Sequence, residues 1–212
     1  MMNKKIYKIA LTLAVPMMIQ NGITNMVSLV DNVMVGSLGT EAMTGVSIVG
    51  QLFFVLSLAV FGGLSGPGIY GAQYYGKGDM EGVRNTFRLK LWIGAFCAIL
   101  GGIVLSALAA PLIQLYLRGE SAGMDSAGTL EFGMQYLQIM LLTIIPFAIT
   151  QVYASSLRET GDSLKPMVAG VISVVVDIVM NYILIYGKLG MPALGVRGAA
   201  TVSYTHLRAH ET

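Results

Sequence analysis

Charge is scarce in this sequence. Asp, Glu, Lys and Arg make up 11% of its 212 residues, where a soluble domain carries about 25%. Such a chain cannot cover a water-exposed surface with polar groups, which excludes an ordinary soluble domain. With 55% hydrophobic residues and a mean hydropathy of +0.70 it belongs to the helical membrane class. A net charge of +2, without a basic stripe interleaved with aromatics, argues against nucleic acid as a partner. One cysteine, Cys97, sits in an apolar run. It cannot form an intrachain disulfide, so cysteine usage does not report the redox compartment.

What is present is length of apolar run. Five segments reach the roughly 20 residues that a spanning helix needs, approximately 9–35, 43–70, 89–113, 132–155 and 167–186, and a sixth begins near Gly198 and is cut short. Between them lie turn-rich loops: GSLGTE, YYGKGDMEG, RGESAGMDSAG, RETGDSLKP and GKLGMPALG. The N-terminus has the basic and apolar parts of a signal peptide. Pro16 interrupts the run, Gln20 and Asn21 follow, and no A-x-A-like site occurs, so the segment reads as an uncleaved first helix. With the N-terminus in the cytoplasm, Lys4, Lys5, Lys8, Lys77, Arg84, Arg88, Lys90, Arg158 and Lys165 fall inside. Arg118, Lys188 and Arg197 fall outside, a bias that follows the positive-inside rule.

Asp31 stands in the middle of the first apolar segment, in "NMVSLVDNVMVG". At 100° per residue from Gln20, Asp31 lies at about 20°, Thr24 at about 40° and Ser28 at about 80°. Asn21, Asn32 and Asn25 follow at about 100–140°, while the apolar residues of the same stretch occupy the other side. A helix with one amide- and carboxylate-rich face lines a bundle interior or a watery cavity. Amides also glue helices together by hydrogen bonds, a reading that covers Asn and Gln but leaves Asp31 unexplained. An ionised carboxylate costs about 2.5–3.5 kcal/mol at a helix centre even on the mildest scale. The fifth segment repeats the pattern, with Ser173, Asp177 and Asn181 four apart on one face. Two intramembrane carboxyls can exchange a proton for a cation, because burial favours the neutral form and a bound cation the charged one. Asp177 has a second reading, as partner to a cation on a helix outside this sequence. The other acidic residues, Glu41, Asp79, Glu81, Glu120, Asp125, Glu131, Glu159 and Asp162, read as solvated charges in loops or at helix ends.

Pro16 and Pro146 lie within spans, where proline removes a backbone hydrogen bond and kinks the helix. Pro16 is a candidate hinge, and "GGLSGPG" at 62–68 reads as close helix packing. The final residues, VSYTHLRAHET at 202–212, translate one frame of a common sequencing-library transposon adapter without mismatch. His206 and His210 have metal-ligand spacing, but the segment is set aside as non-native, so no metal site is assigned. The native domain is then 1–201. No Ser–His–Asp set or phosphate loop is present, so enzyme function is not expected.

The stretches "PMMIQNGITNMVSLVDNVMVGSLG", "GQLFF" with "GAQYYGKGD", "SSLRETGDSLKPM" and "NYILIYGKLGMPALGVRGAA" resemble, in order, the N-terminal half of a multidrug and toxic compound extrusion (MATE) transporter. The resemblance implies an all-α membrane protein, here the first six-helix bundle of a twelve-helix antiporter with its sixth helix truncated. It implies a multi-pass protein of a bacterial-type inner membrane, needing no cofactor, that exports organic, often cationic compounds against H+ or Na+. Its partners would be the bilayer, the small organic substrate and a second six-helix half. Asp31 maps to a proposed coupling residue, Pro16 to a first-helix bend, and positions 177 and 181 to a fifth-helix polar pair. Many members have Asn first and Asp or Asn second in that pair, whereas this chain has Asp177 then Asn181. The candidate cavity set is Asp31, Asp177, Asn181, Gln20, Thr24 and Asn25. A lipid-linked precursor or polysaccharide flippase is the alternative within the superfamily, disfavoured because the spans show no interior Lys or Arg. A membrane partner protein that transports nothing is the alternative outside it.

Overall fold

The computed structural model describes residues 4–120, 126–187, 195, 196, 198, 199 and 201. Five long helices follow one another: α1 (Lys4–Gly36), α2 (Thr40–Lys77), α3 (Met80–Glu120), α4 (Ser126–Glu159) and α5 (Leu164–Tyr186). Helix resumes at Val196, Gly198, Ala199 and Thr201, where a sixth span is expected. Every helix contains its expected apolar segment and extends beyond it at one end or both. At about 1.5 Å per residue, the 38 residues of α2 run to about 57 Å, so the helix ends reach past the roughly 30 Å hydrocarbon layer. By length and composition α2, α4, α5 and residues Met80–Leu117 of α3 can each cross a membrane. The tail 202–212, with His206 and His210, lies outside the described residues.

The turn between α2 and α3 shows why the sequence breaks there. Gly78 takes the left-handed conformation (φ 75°) and its N–H reaches the Tyr75 carbonyl at 3.0 Å, a helix ending that only glycine adopts without strain. Asp79 then caps α3, its Oδ1 accepting the Gly82 N–H at 2.9 Å. At the matching α4–α5 turn Asp162 accepts the Lys165 N–H at 3.2 Å and pairs with its ammonium at 2.6 Å. That pairing holds the half-buried Asp162 carboxyl below its usual range and the Lys165 ammonium above its own.

α2, α3 and α4 pack against one another around Leu56, Val60, Leu64, Ala98, Leu105, Ile144, Ala148 and Val152. Small residues set the spacing. A Cβ on Gly45 would stand 2.8 Å from both Gly133 N and Thr129 O, so α2 and α4 meet backbone to backbone. α1 instead packs mainly on α5, along a seam with several polar contacts. Ser163 Oγ donates to the Thr12 carbonyl at 3.4 Å, Gln20 lies against Gly170, and Ser37 Oγ meets Tyr186 OH at 3.0 Å.

Two expectations fail at the turn end of the three-helix core. Lys90 is fully buried, and the expectation that no lysine or arginine is interior is wrong there. Its Nζ donates to Ser155 Oγ at 3.0 Å and is ion-paired with Glu159, which also accepts from Ser155 at 2.7 Å. Glu159 is therefore not a freely solvated helix-end charge. Gly68 and Gly71 of α2 lie against its carboxylate, since a Cβ there would be 2.6 and 2.8 Å from the two oxygens. The desolvated lysine of α3 is tolerated because α4 delivers it a carboxylate and a hydroxyl one turn apart, and the α2 glycines leave room for them.

Candidate functional site: carboxylates bridged across the α1–α5 seam

The α1–α5 seam brings together what the helical spacing singled out. Ser173, Asp177 and Asn181 are all buried on the inner face of α5. Asn181 Nδ2 donates to Asp31 Oδ1 of α1 at 2.9 Å and to Asp177 Oδ2 at 3.2 Å. One amide nitrogen thus bridges two carboxyl groups from sequence positions 150 and 4 residues away. That arrangement fixes the orientation of the amide, because only its nitrogen can donate to acceptors. Asn181 Oδ1 consequently points elsewhere and, though buried, receives no hydrogen bond. Among the described residues neither carboxylate has a lysine or arginine within ion-pair distance.

Asp31 and Asn181 line a cavity of about 650 Å³ with Asn25, Ser28 and Asn32 of α1, Ser47, Gly50, Gln51 and Phe54 of α2, and Tyr136 of α4. Its residues are mostly neutral and polar, and none of them is a lysine or arginine. Asp177 is not part of the cavity wall. Gln20 and Thr24 are not brought to it: Gln20 packs on Gly170, and Thr24 Oγ1 turns back to the Gln20 carbonyl at 3.0 Å. Pro16 lies inside α1, which continues as helix on both sides of it.

Helical spacing found Asp31, Asp177, Asn181 and Asn25 but missed the α2 and α4 walls. Gln51 gives a signal, as a lone amide inside the apolar run of α2. Tyr136 gives none, since a tyrosine in such a span reads equally well as lipid-facing. The donor set at the seam is all oxygen apart from the shared nitrogen. Two carboxyls and a free amide oxygen are ligands that suit a proton or a hard cation.

The comparisons with known proteins agree with this geometry. The chain is similar to the probable multidrug resistance protein NorM of Thermotoga maritima, with 30% identity over 94% of this chain and 41% of that protein. It is similar to the multidrug resistance protein PmpM of Pseudomonas aeruginosa, with 30% identity over 89% of this chain and 38% of that one. The chain thus spans about two-fifths of the length of these curated relatives. Among solved structures it superposes on MATE in the bent conformation with a TM-score of 0.81 at 25% identity, over 97% of this chain and 43% of that chain. The MatE family model matches residues 16–183, from the proline of α1 to beyond Asn181. The chain belongs to the MatE family and corresponds to the N-terminal half of its transporters.

Proposed function

We propose that this chain forms the cation-coupled half of an efflux antiporter that exports organic, often cationic compounds. The observation that carries the proposal is the Asn181 amide shared between Asp31 and Asp177 at the edge of a polar cavity. Two carboxyls held this close invite a positive charge between them, and the unpaired Asn181 Oδ1 offers a third oxygen. H+ or Na+ binding there draws α1 and α5 together. Only an ion bound with different affinity in the outward- and inward-open states can shift the balance between them. The seam suits that requirement, because Asp31 belongs to a helix that packs mainly on α5 and only lightly on the α2–α3–α4 core. Pro16 is where α1 would bend when the ion leaves. A cationic cargo competes for the same charge from the cavity side, along Asn25, Gln51 and Tyr136. The positive-inside bias supports a cytoplasmic N-terminus in a bacterial-type inner membrane.

The test is efflux of a fluorescent organic cation by the full-length transporter in proteoliposomes, titrated separately with pH and Na+ gradients. Asp31→Asn should abolish gradient-driven efflux while expression and folding persist. Efflux indifferent to both gradients, or unchanged in Asp31→Asn, refutes the proposal.

A further inference from the structure

α3 and α4 leave an apolar groove of about 470 Å³ between them. Its floor is made of small or buried residues, Gly94, Ala98, Ala148 and Val152, and its rims of Trp92, Ile99 and Ile145. One charged residue, Arg88, stands at its end. We propose that this groove binds an anionic phospholipid, one acyl chain lying between α3 and α4 and the headgroup phosphate on Arg88.

The dimensions support that occupant. From Arg88 to Ile99 is eleven residues, or about 16 Å of helix. This is close to half of the roughly 30 Å hydrocarbon thickness, the depth of one leaflet. The 41 residues of α3 span about 62 Å, so a centred hydrocarbon layer starts about 16 Å from Met80. Arg88 falls about 12 Å and Trp92 about 18 Å from that end, one on each side of the boundary. A tryptophan 77% exposed at that level is the kind of residue that marks a membrane interface.

Charge supplies the second argument. Arg88 is exposed, and among the described residues its guanidinium forms no ion pair. The planar guanidinium matches phosphate oxygens in a two-pronged contact. Arg84, one turn earlier on the same helix, adds charge of the same sign. A zwitterionic lipid would satisfy the groove but gain less from Arg88.

The experiment uses native mass spectrometry of the full-length transporter with phosphatidylglycerol and phosphatidylcholine of identical chains. Wild type should retain phosphatidylglycerol about fivefold better, the preference that one surface arginine supplies. Arg88→Gln should remove the preference while still retaining lipid. Ala95→Phe, which fills the groove from an exposed lining position, should lower retention of both lipids alike. An undiminished preference in Arg88→Gln, or unchanged retention in Ala95→Phe, overturns the proposal. Equal retention of both lipids by wild type does so too. None of these readings depends on transport, so they stand or fall apart from the coupling site.

Discussion

Glu159→Gln tests the buried ion pair of the core and should be among the most damaging single changes at the turn end of the bundle. It leaves the Lys90 ammonium, fully buried, with only Ser155 Oγ and a neutral amide for company. Breaking a buried pair by removing one partner costs about 3–5 kcal/mol, because the remaining charge is left desolvated. Lys90→Met should cost less than Glu159→Gln. The Glu159 side chain is 18% exposed against 1% for Lys90, so water can solvate the orphaned carboxylate but not the orphaned ammonium. Lys90→Met combined with Glu159→Leu removes both charges. It should be milder than Glu159→Gln alone, since replacing a buried pair with apolar groups is often neutral. The assay is a denaturant titration of the purified full-length protein in mixed micelles, with the three variants compared against wild type. Single variants that each cost less than about 1 kcal/mol, or a double variant costlier than Glu159→Gln alone, would refute the reasoning.

Helix spacing gives a second prediction. Gly45→Ala sets a Cβ against the α4 backbone and should destabilise by about 1–3 kcal/mol, whereas Gly62→Ala meets nothing within 4 Å and should be neutral or slightly stabilising in the same titration. The Asp162–Lys165 pair sets a pH window. Because the Asp162 carboxyl is lowered in the fold, its contribution is present above the ordinary 3.8 and lost as pH falls through the lowered value. The raised Lys165 contributes below its ordinary 10.5 and loses that as pH rises further. The difference in unfolding midpoint between wild type and Asp162→Asn should therefore be flat from pH 5 to 9 and vanish at strongly acidic pH. A difference that changes between pH 5 and 9 would exclude this pair as its source. Asn181→Leu removes the shared donor and the free oxygen together. It should shift the pH or Na+ concentration giving half-maximal efflux, and an unshifted midpoint would show that the amide takes no part in coupling.

Helical periodicity made much of this site legible. Asp31 is conspicuous because a carboxylate in an apolar run is costly wherever its helix packs. Asp177 and Asn181 fall on one face by spacing alone, so their burial on α5 follows from the α-helical period. The turn at Gly78 and Asp79 was equally readable, since backbone geometry there leaves few residue types to choose from. The lysine was not. Lys90 near the start of an apolar run looks the same in one dimension whether it snorkels to water or turns inward, and its partner is 69 residues away.

The sequence by itself thus determined class, the placement of the five long helices and the anomalous polar faces, because these depend on local period and on the cost of charge in hydrocarbon. Tertiary structure alone decided which faces meet. It set Asp31 beside Asn181, sent Gln20 to Gly170 instead, closed the cavity with Gln51 and Tyr136, and gave Lys90 its carboxylate. Those outcomes rest on contacts between residues far apart along the chain, chosen by how small residues such as Gly45, Gly68 and Gly170 let helices approach. No local pattern encodes that approach.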